Sequence, residues 1–83
     1  MHRAVLEFDY DDSDGAALVA DSVRVESGDI EGDRTTATVD REGATVVVTV
    51  EAADLVALRA GVNTWSSLVS VAESCAGAVP ASA

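Results

Sequence analysis

This 83-residue chain has one cysteine, one histidine, one proline and three aromatic residues, and no lysine at all. Each shortage removes a class of function. A lone Cys75 rules out an intrachain disulfide and suits a reducing compartment. Cys75 reads as a small buried hydrophobe or a quiet thiol. His2 stands by itself near the N-terminus, so neither a zinc site nor a Cys/His dyad can be assembled. No metal or cofactor is expected. The longest purely apolar runs are about five residues, far short of a membrane span. Met1-His2-Arg3-Ala4 leads straight into an alternating segment, so no secretory leader is expected and the reading is a cytoplasmic protein with no membrane role.

Charge is abundant but of one sign. Fifteen acids face five bases, all arginine, for a net charge of −10. A surface of hydrated carboxylates without lysine, over a core of small residues, suits a cytoplasm of molar salt. An acidic face for a basic partner is the alternative. The acids are scattered along the whole chain, which favours general solvation and a halophilic source. A chain of this length buries only about 60–65% of its unfolded surface. Small domains lacking disulfides and metals often gain stability by pairing with another chain.

Arg3 to Tyr10 alternates, with Leu6, Phe8 and Tyr10 on one side and Val5, Glu7 and Asp9 on the other. That pattern predicts a half-buried strand. Asp11-Asp12-Ser13-Asp14-Gly15 breaks it, and Ser13 is the expected N-cap of a helix from about Asp14 to Val25. Ala16, Val19, Ala20 and Val23 form that helix's apolar stripe. Ser27 to Asp33 reads as a loop. Thr35 to Asp40 is a second strand, Arg41-Glu42-Gly43 a turn, and Thr45 to Glu51 a third strand with Val46, Val48 and Val50 inward. A long helix from about Ala53 to Ala76 is ended by Gly77 and Pro80.

The expected fold is α+β in the order β-α-β-β-α. A right-handed crossover leaves a gap between the first two strands for the third. The sheet is then three-stranded, antiparallel or mixed, in order 1-3-2, with two helices packed on one face. Residues 1–76 form a single domain, and 77–83 a disordered C-terminal tail.

On the long helix, Leu55, Leu58, Val62, Trp65, Val69, Ala72 and Ala76 step by three and four, giving one complete apolar seam. Val56, Ala60 and Val71 flank it. The two sets together are wider than a helix on a small sheet needs, so a second packing surface is expected. Arg59 and Asn63 share a face. Gly61 costs about 1 kcal/mol in mid-helix relative to alanine, which suggests that a neighbouring helix approaches there. Trp65 is either core filling or a binding anchor.

Ala52-Ala53-Asp54, then Leu58-Arg59-Ala60, then Asn63-Thr64-Trp65, directly after a valine-rich strand, resembles the Pcc family, the small dimerization subunit of the KEOPS complex. The family pattern is approximately Ala-x-Asp, three residues, Leu-Arg-Ala, two residues, Asn-Ser-aromatic. Thr64 replaces the serine, and Gly61 falls at a freely varying position. Asp33-Arg34-Thr35 is similar to the family's entry to the second strand, and Ser22-Val23 with Glu26 to the end of its first helix. The likeness covers about residues 3–75. Members often carry basic residues after the aromatic, whereas Ser66-Ser67-Leu68 is neutral.

The resemblance implies a non-catalytic role. The complex installs N6-threonylcarbamoyladenosine in tRNA. Its small subunit pairs with an identical copy or a paralogue, and each copy binds one catalytic subunit through its helices. Leu55, Leu58, Arg59, Val62, Asn63 and Trp65 are then the candidate partner-interface residues, on or just behind the docking face. The second copy has two candidate places, the outer sheet face (Val5, Val47 and the threonines) and the helix face. A small RNA-binding module is the alternative, with Arg34, Arg41 and Arg59 as candidate tRNA contacts, as is a stand-alone dimeric interaction domain. The sequence carries no Gly-x-x-Gly clamp, no aromatic-rich strand face and no basic stripe. Asp11, Asp12 and Asp14 resemble a solvated helix entry, not a general acid/base pair or a calcium loop, and no enzymatic activity is expected.

Overall fold

Three stretches of alternating or β-branched residues form strands, and two amphipathic stretches form helices between and after them. The computed structural model describes residues 1–30 and 35–77, with side chains confined to 1–25 and 35–77. The elements are β1 (His2–Asp9), α1 (Ser13–Ile30), β2 (Thr35–Glu42), β3 (Thr45–Ala52) and α2 (Leu55–Ala76). The sheet order is β1-β3-β2 and both pairings are antiparallel. This is the expected 1-3-2 arrangement.

The central strand is the one richest in valine, because it alone has a strand on either side. Val46, Val48 and Val50 are wholly buried. Each contributes about 1.5–3 kcal/mol relative to exposure. They meet Ala16, Val19, Ala20 and Val23 of α1 and Trp65, Val69 and Ala72 of α2 in one core, closed by Tyr10 and Val39. Leu6, Phe8, Ala37, Leu58 and Leu68 pack around its margin. Both helices therefore lie over the same face of the sheet. The opposite face carries Val5, Val47, Thr36, Thr38, Thr45 and Thr49, while Thr35 faces the helices.

Several boundaries differ from the sequence reading, each for a physical reason. The cap of α1 is Asp12, not Ser13: its Oδ1 accepts from the Gly15 N–H at 2.7 Å, and its carbonyl accepts from the Ala16 N–H at 3.3 Å. A carboxylate adds attraction to the helix dipole, which a hydroxyl lacks. α1 runs to Ile30, so residues 27–30 are helix and not loop. Ser, Gly and Asp are weak helix formers, but extending an existing helix is far easier than starting one, and no proline interrupts it. β2 continues to Glu42, and the turn falls on Gly43 and Ala44, with Gly43 at φ +61°. A positive φ is open to glycine at no steric cost. Residues 31–34 and the tail after Gly77 lie outside the described residues.

α2 is 22 residues long and capped at both ends. Asp54 Oδ1 accepts from the Ala57 N–H at 2.8 Å, and Gly77 adopts the left-handed conformation while donating its N–H to the Glu73 carbonyl. Gly61 has a different reason from the one expected. A Cβ built there would stand 3.0 Å from Val50 Cγ1 and 3.1 Å from Thr35 Cγ2. It is the sheet, not a neighbouring helix, that approaches α2 at this point. Leu55 also departs from the expected seam. It stands 64% exposed, because the helix has only begun to cross the sheet there.

A candidate docking surface on the helix layer

The buried stripe of α2 is narrower than its apolar sequence. Trp65, Val69 and Ala72 are covered, and Leu58 and Val62 are half-buried. Leu55, Val56, Ala60 and Val71 remain exposed, Val56 at 77% and Val71 at 60%. An exposed β-branched or leucine side chain is ordinary when single. Val56, Ala60 and Val71, spaced by four and eleven, fall on one outward side of the helix, and Leu55 stands in its first turn.

Arg59 and Asn63 are both exposed on that outward surface, four residues apart. Among the described residues none hydrogen-bonds to Arg59 or forms an ion pair with it. Trp65 is different. At 2% exposure it fills the core beneath the helix and touches the surface only from behind. Leu55, Leu58, Arg59, Val62 and Asn63 thus gather on the first half of α2, while Trp65 braces them from below.

A second feature went unread in the sequence. Between α1 and α2 runs a groove of about 400 Å³ lined by Ser22, Val23, Val25, Leu68, Val71, Ala72 and Cys75. Leu68 and Val71 also line an adjoining hollow with Asn63, Thr64 and Ser67. The groove and this more polar hollow are therefore joined through Leu68 and Val71. Val71 was legible as part of the flanking apolar set. Val25 was placed near a helix end, and nothing in the sequence says how α1 and α2 align side by side. Cys75 is exposed at the rim, so the reading of a small buried hydrophobe does not hold.

Side-chain hydrogen bonds outside the groove lining tie each helix to the sheet. The Tyr10 hydroxyl donates to Glu73 Oε2 at 2.7 Å, tying the end of β1 to the last turns of α2. Burial, then this hydrogen bond and the carboxylate's charge, push the Tyr10 hydroxyl well above its ordinary range. Arg24 of α1 forks onto the Val39 carbonyl of β2 with Nε at 3.2 Å and Nη2 at 3.1 Å, and reaches Asp21 at 3.3 Å. No buried side-chain nitrogen or oxygen among the described residues lacks a partner.

The arginines considered for RNA do not converge. Arg41 lies at the hairpin end of the sheet, opposite Val46, and donates to the Gly43 carbonyl at 2.9 Å. Arg59 lies near the start of α2, which follows the other end of β3. Arg34 is outside the described residues. Asp11, Asp12 and Asp14 line a small hollow with Tyr10, Gly15, Leu18, Ala76 and Gly77, where Asp12 serves the α1 cap. Among the described residues no three His, Cys, Asp or Glu side chains are placed to hold a metal ion. Among them, too, no helix is long and apolar enough to cross a membrane.

Comparison with known proteins adds one result. No curated protein matches the chain. A family model described as "Transcription factor Pcc1" matches residues 3–77, nearly the full length. That family is one of KEOPS subunits, and it is non-catalytic. The Leu-Arg-Ala and Asn-Thr-Trp lettering of α2, the 1-3-2 sheet and this match agree, and the chain belongs to the Pcc1 family.

Proposed function

We propose that this protein is a scaffold subunit of a KEOPS complex. It pairs with a second copy or a paralogue and holds the catalytic threonylcarbamoyl-transferring subunit against its helix layer, supporting N6-threonylcarbamoyladenosine formation in tRNA. The observation that carries this reading is the largely apolar α1–α2 groove, joined through Leu68 and Val71 to a more polar hollow at Asn63, with Arg59 one helical turn away and bonded to none of the described residues. Apolar side chains around a shallow groove fit a partner helix laid along it. An unpaired guanidinium at the edge fits a partner carboxylate or helix C-terminus, which it can grip with two parallel bonds.

Direct nucleic-acid binding is less well supported. Five arginines against fifteen acids leave no cationic track, and Arg41 and Arg59 sit at opposite ends of the sheet. In molar salt, affinity from displaced counterions is nearly abolished as well. The family's description as a transcription factor therefore does not by itself point to contact with DNA.

Co-expression with the catalytic subunit from the same genome tests the docking surface. Val71→Asp and Arg59→Glu change exposed positions, so folding is expected to survive, as circular dichroism would check. Both variants should lose co-purification. If both folded variants still co-purify at the parent level, the helix layer is not the docking face.

A further inference from the structure

β2 lies at an edge of the sheet and its own sequence does little to protect it. The strand is eight residues long, with no proline and no glycine. Its first five residues, Thr35-Thr36-Ala37-Thr38-Val39, are uncharged and mostly β-branched, a composition that favours strand pairing. Proteins usually blunt such an edge with lysine, proline, a bulge or a short strand. The chain has no lysine, and the charges of β2 come only at its far end, in Asp40, Arg41 and Glu42.

Hydrogen-bond parity decides which groups this edge presents. The Tyr10 N–H donates to the Ala44 carbonyl at 2.9 Å, so the even residues of β1 and β3 bond to each other. Successive residues of an antiparallel strand turn their backbone groups to alternate sides. The odd residues of β3 therefore bond to the even residues of β2, and Thr35, Ala37, Val39 and Arg41 turn outward. Val39 ends the uncharged stretch, and there α1 reaches across. Arg24 donates to the Val39 carbonyl twice, from Nε at 3.2 Å and from Nη2 at 3.1 Å. Its Nη1 donates to Asp21 Oδ1 at 3.3 Å, one turn back on the same helix. An added strand would lie about 4.8 Å from β2 and bring one N–H to the same carbonyl. The guanidinium stands in that space. It offers two N–H groups where a strand offers one, and hydrogen bonds from a charged donor are the stronger kind.

We infer that Arg24 is an intramolecular stop that keeps the β2 edge from pairing with the β2 edge of a second copy of this chain. The stop limits how far the sheet can grow from one chain to the next. Arg24 does not line the groove or the hollow beside it, so its removal leaves the candidate docking surface in place.

Light scattering over a concentration series in molar KCl, on the full-length parent, Arg24→Ala and Arg24→Met, tests the stop. Arg24→Met keeps an aliphatic stem and removes the donors. Both variants should form species larger than the parent's, at concentrations about tenfold lower than any at which the parent grows. Hydrogen exchange locates the contact. The Val39 N–H turns away from β3 and donates to none of the described residues. In the concentrated variants it should exchange about tenfold more slowly than in dilute samples. Adding Arg41→Pro removes an outward N–H without touching the ladder to β3, and should return the variants to the parent's size. Unchanged size in both variants overturns the stop. So do larger species in which the Val39 amide exchanges as in the parent, or growth that Arg41→Pro does not reverse. Loss of folding in both variants, read by circular dichroism, would make Arg24 a folding residue and overturns it too. Each of these results leaves the scaffold reading intact, because that reading stands on co-purification with the catalytic subunit.

Discussion

The Tyr10 hydroxyl meets the Glu73 carboxylate at 2.7 Å, joining residues 63 positions apart in sequence. The bond fastens the last turns of α2 to the end of β1. Tyr10→Phe keeps the ring's packing and removes the bond. Because the acceptor is charged and partly buried, the loss should cost about 1–2 kcal/mol, read by urea unfolding. A variant as stable as the parent would show that the tie does no structural work.

The same hydroxyl gives an alkaline signature. Its folded pKa is raised above the ordinary value of about 10. The folded state thus holds the proton more tightly than the unfolded chain. This stabilisation is fully present below pH ~10 and is lost as pH rises from there toward the folded value. With no lysine and a single tyrosine, little else changes charge in that window. Melting temperature should fall from about pH 10 upward in the parent, and much less in Tyr10→Phe. Parallel curves for the two proteins would contradict the assignment.

Gly61 makes the opposite kind of prediction. In an exposed helix, glycine to alanine gains about 1 kcal/mol. Here the added methyl meets Val50 Cγ1 and Thr35 Cγ2 at 3.0 and 3.1 Å, both on stiff β-branched side chains. Gly61→Ala should therefore fail to stabilise, and Gly61→Val should destabilise by about 1–3 kcal/mol through overpacking. A more stable Gly61→Ala would mean that the helix lifts off the sheet without penalty.

Arg24 guards the β2 edge with two bonds to one carbonyl. The side chain is about half exposed, so Arg24→Ala should cost only ~1 kcal/mol in stability. Its larger effect should be on association. With the Val39 carbonyl uncovered, the β2 edge becomes available for pairing, and light scattering should detect larger species than in the parent. Unchanged size at high concentration would count against this guarding role.

Salt should stabilise the chain. A net charge of −10 on 83 residues repels itself across the surface. The Debye length shrinks from about 10 Å at 0.1 M to about 3 Å at 1 M. Melting temperature should climb from 0.1 to 2 M KCl, by about 4–8 °C for each kcal/mol of repulsion relieved. A flat or falling curve would remove the case for a halophilic design.

The strands were readable because a period of two leaves little freedom. Leu6, Phe8 and Tyr10 on one side of β1, and Val46, Val48 and Val50 on one side of β3, fix the buried face and hence the 1-3-2 sheet. The end of α1 was less readable, because Ser27-Gly28-Asp29 is as compatible with a loop as with a propagating helix. The candidate docking surface was half readable. Val56, Ala60 and Val71 stood out as surplus apolar residues on one helix. The groove needed the side-by-side alignment of α1 and α2, whose buried residues share one core, a long-range fact. Trp65 illustrates the limit of residue type alone. An aromatic suited to binding lies in the core, where Trp65 is the bulkiest of the fully buried side chains among the described residues.

The central claim is that this chain brings two catalytic subunits into one assembly. Multi-angle light scattering of the co-expressed complex in molar KCl measures that directly. The mass should correspond to two copies of this chain, or one copy and a paralogue, with two catalytic subunits. A mass equal to one copy of each, unchanged with concentration, would contradict the scaffold role.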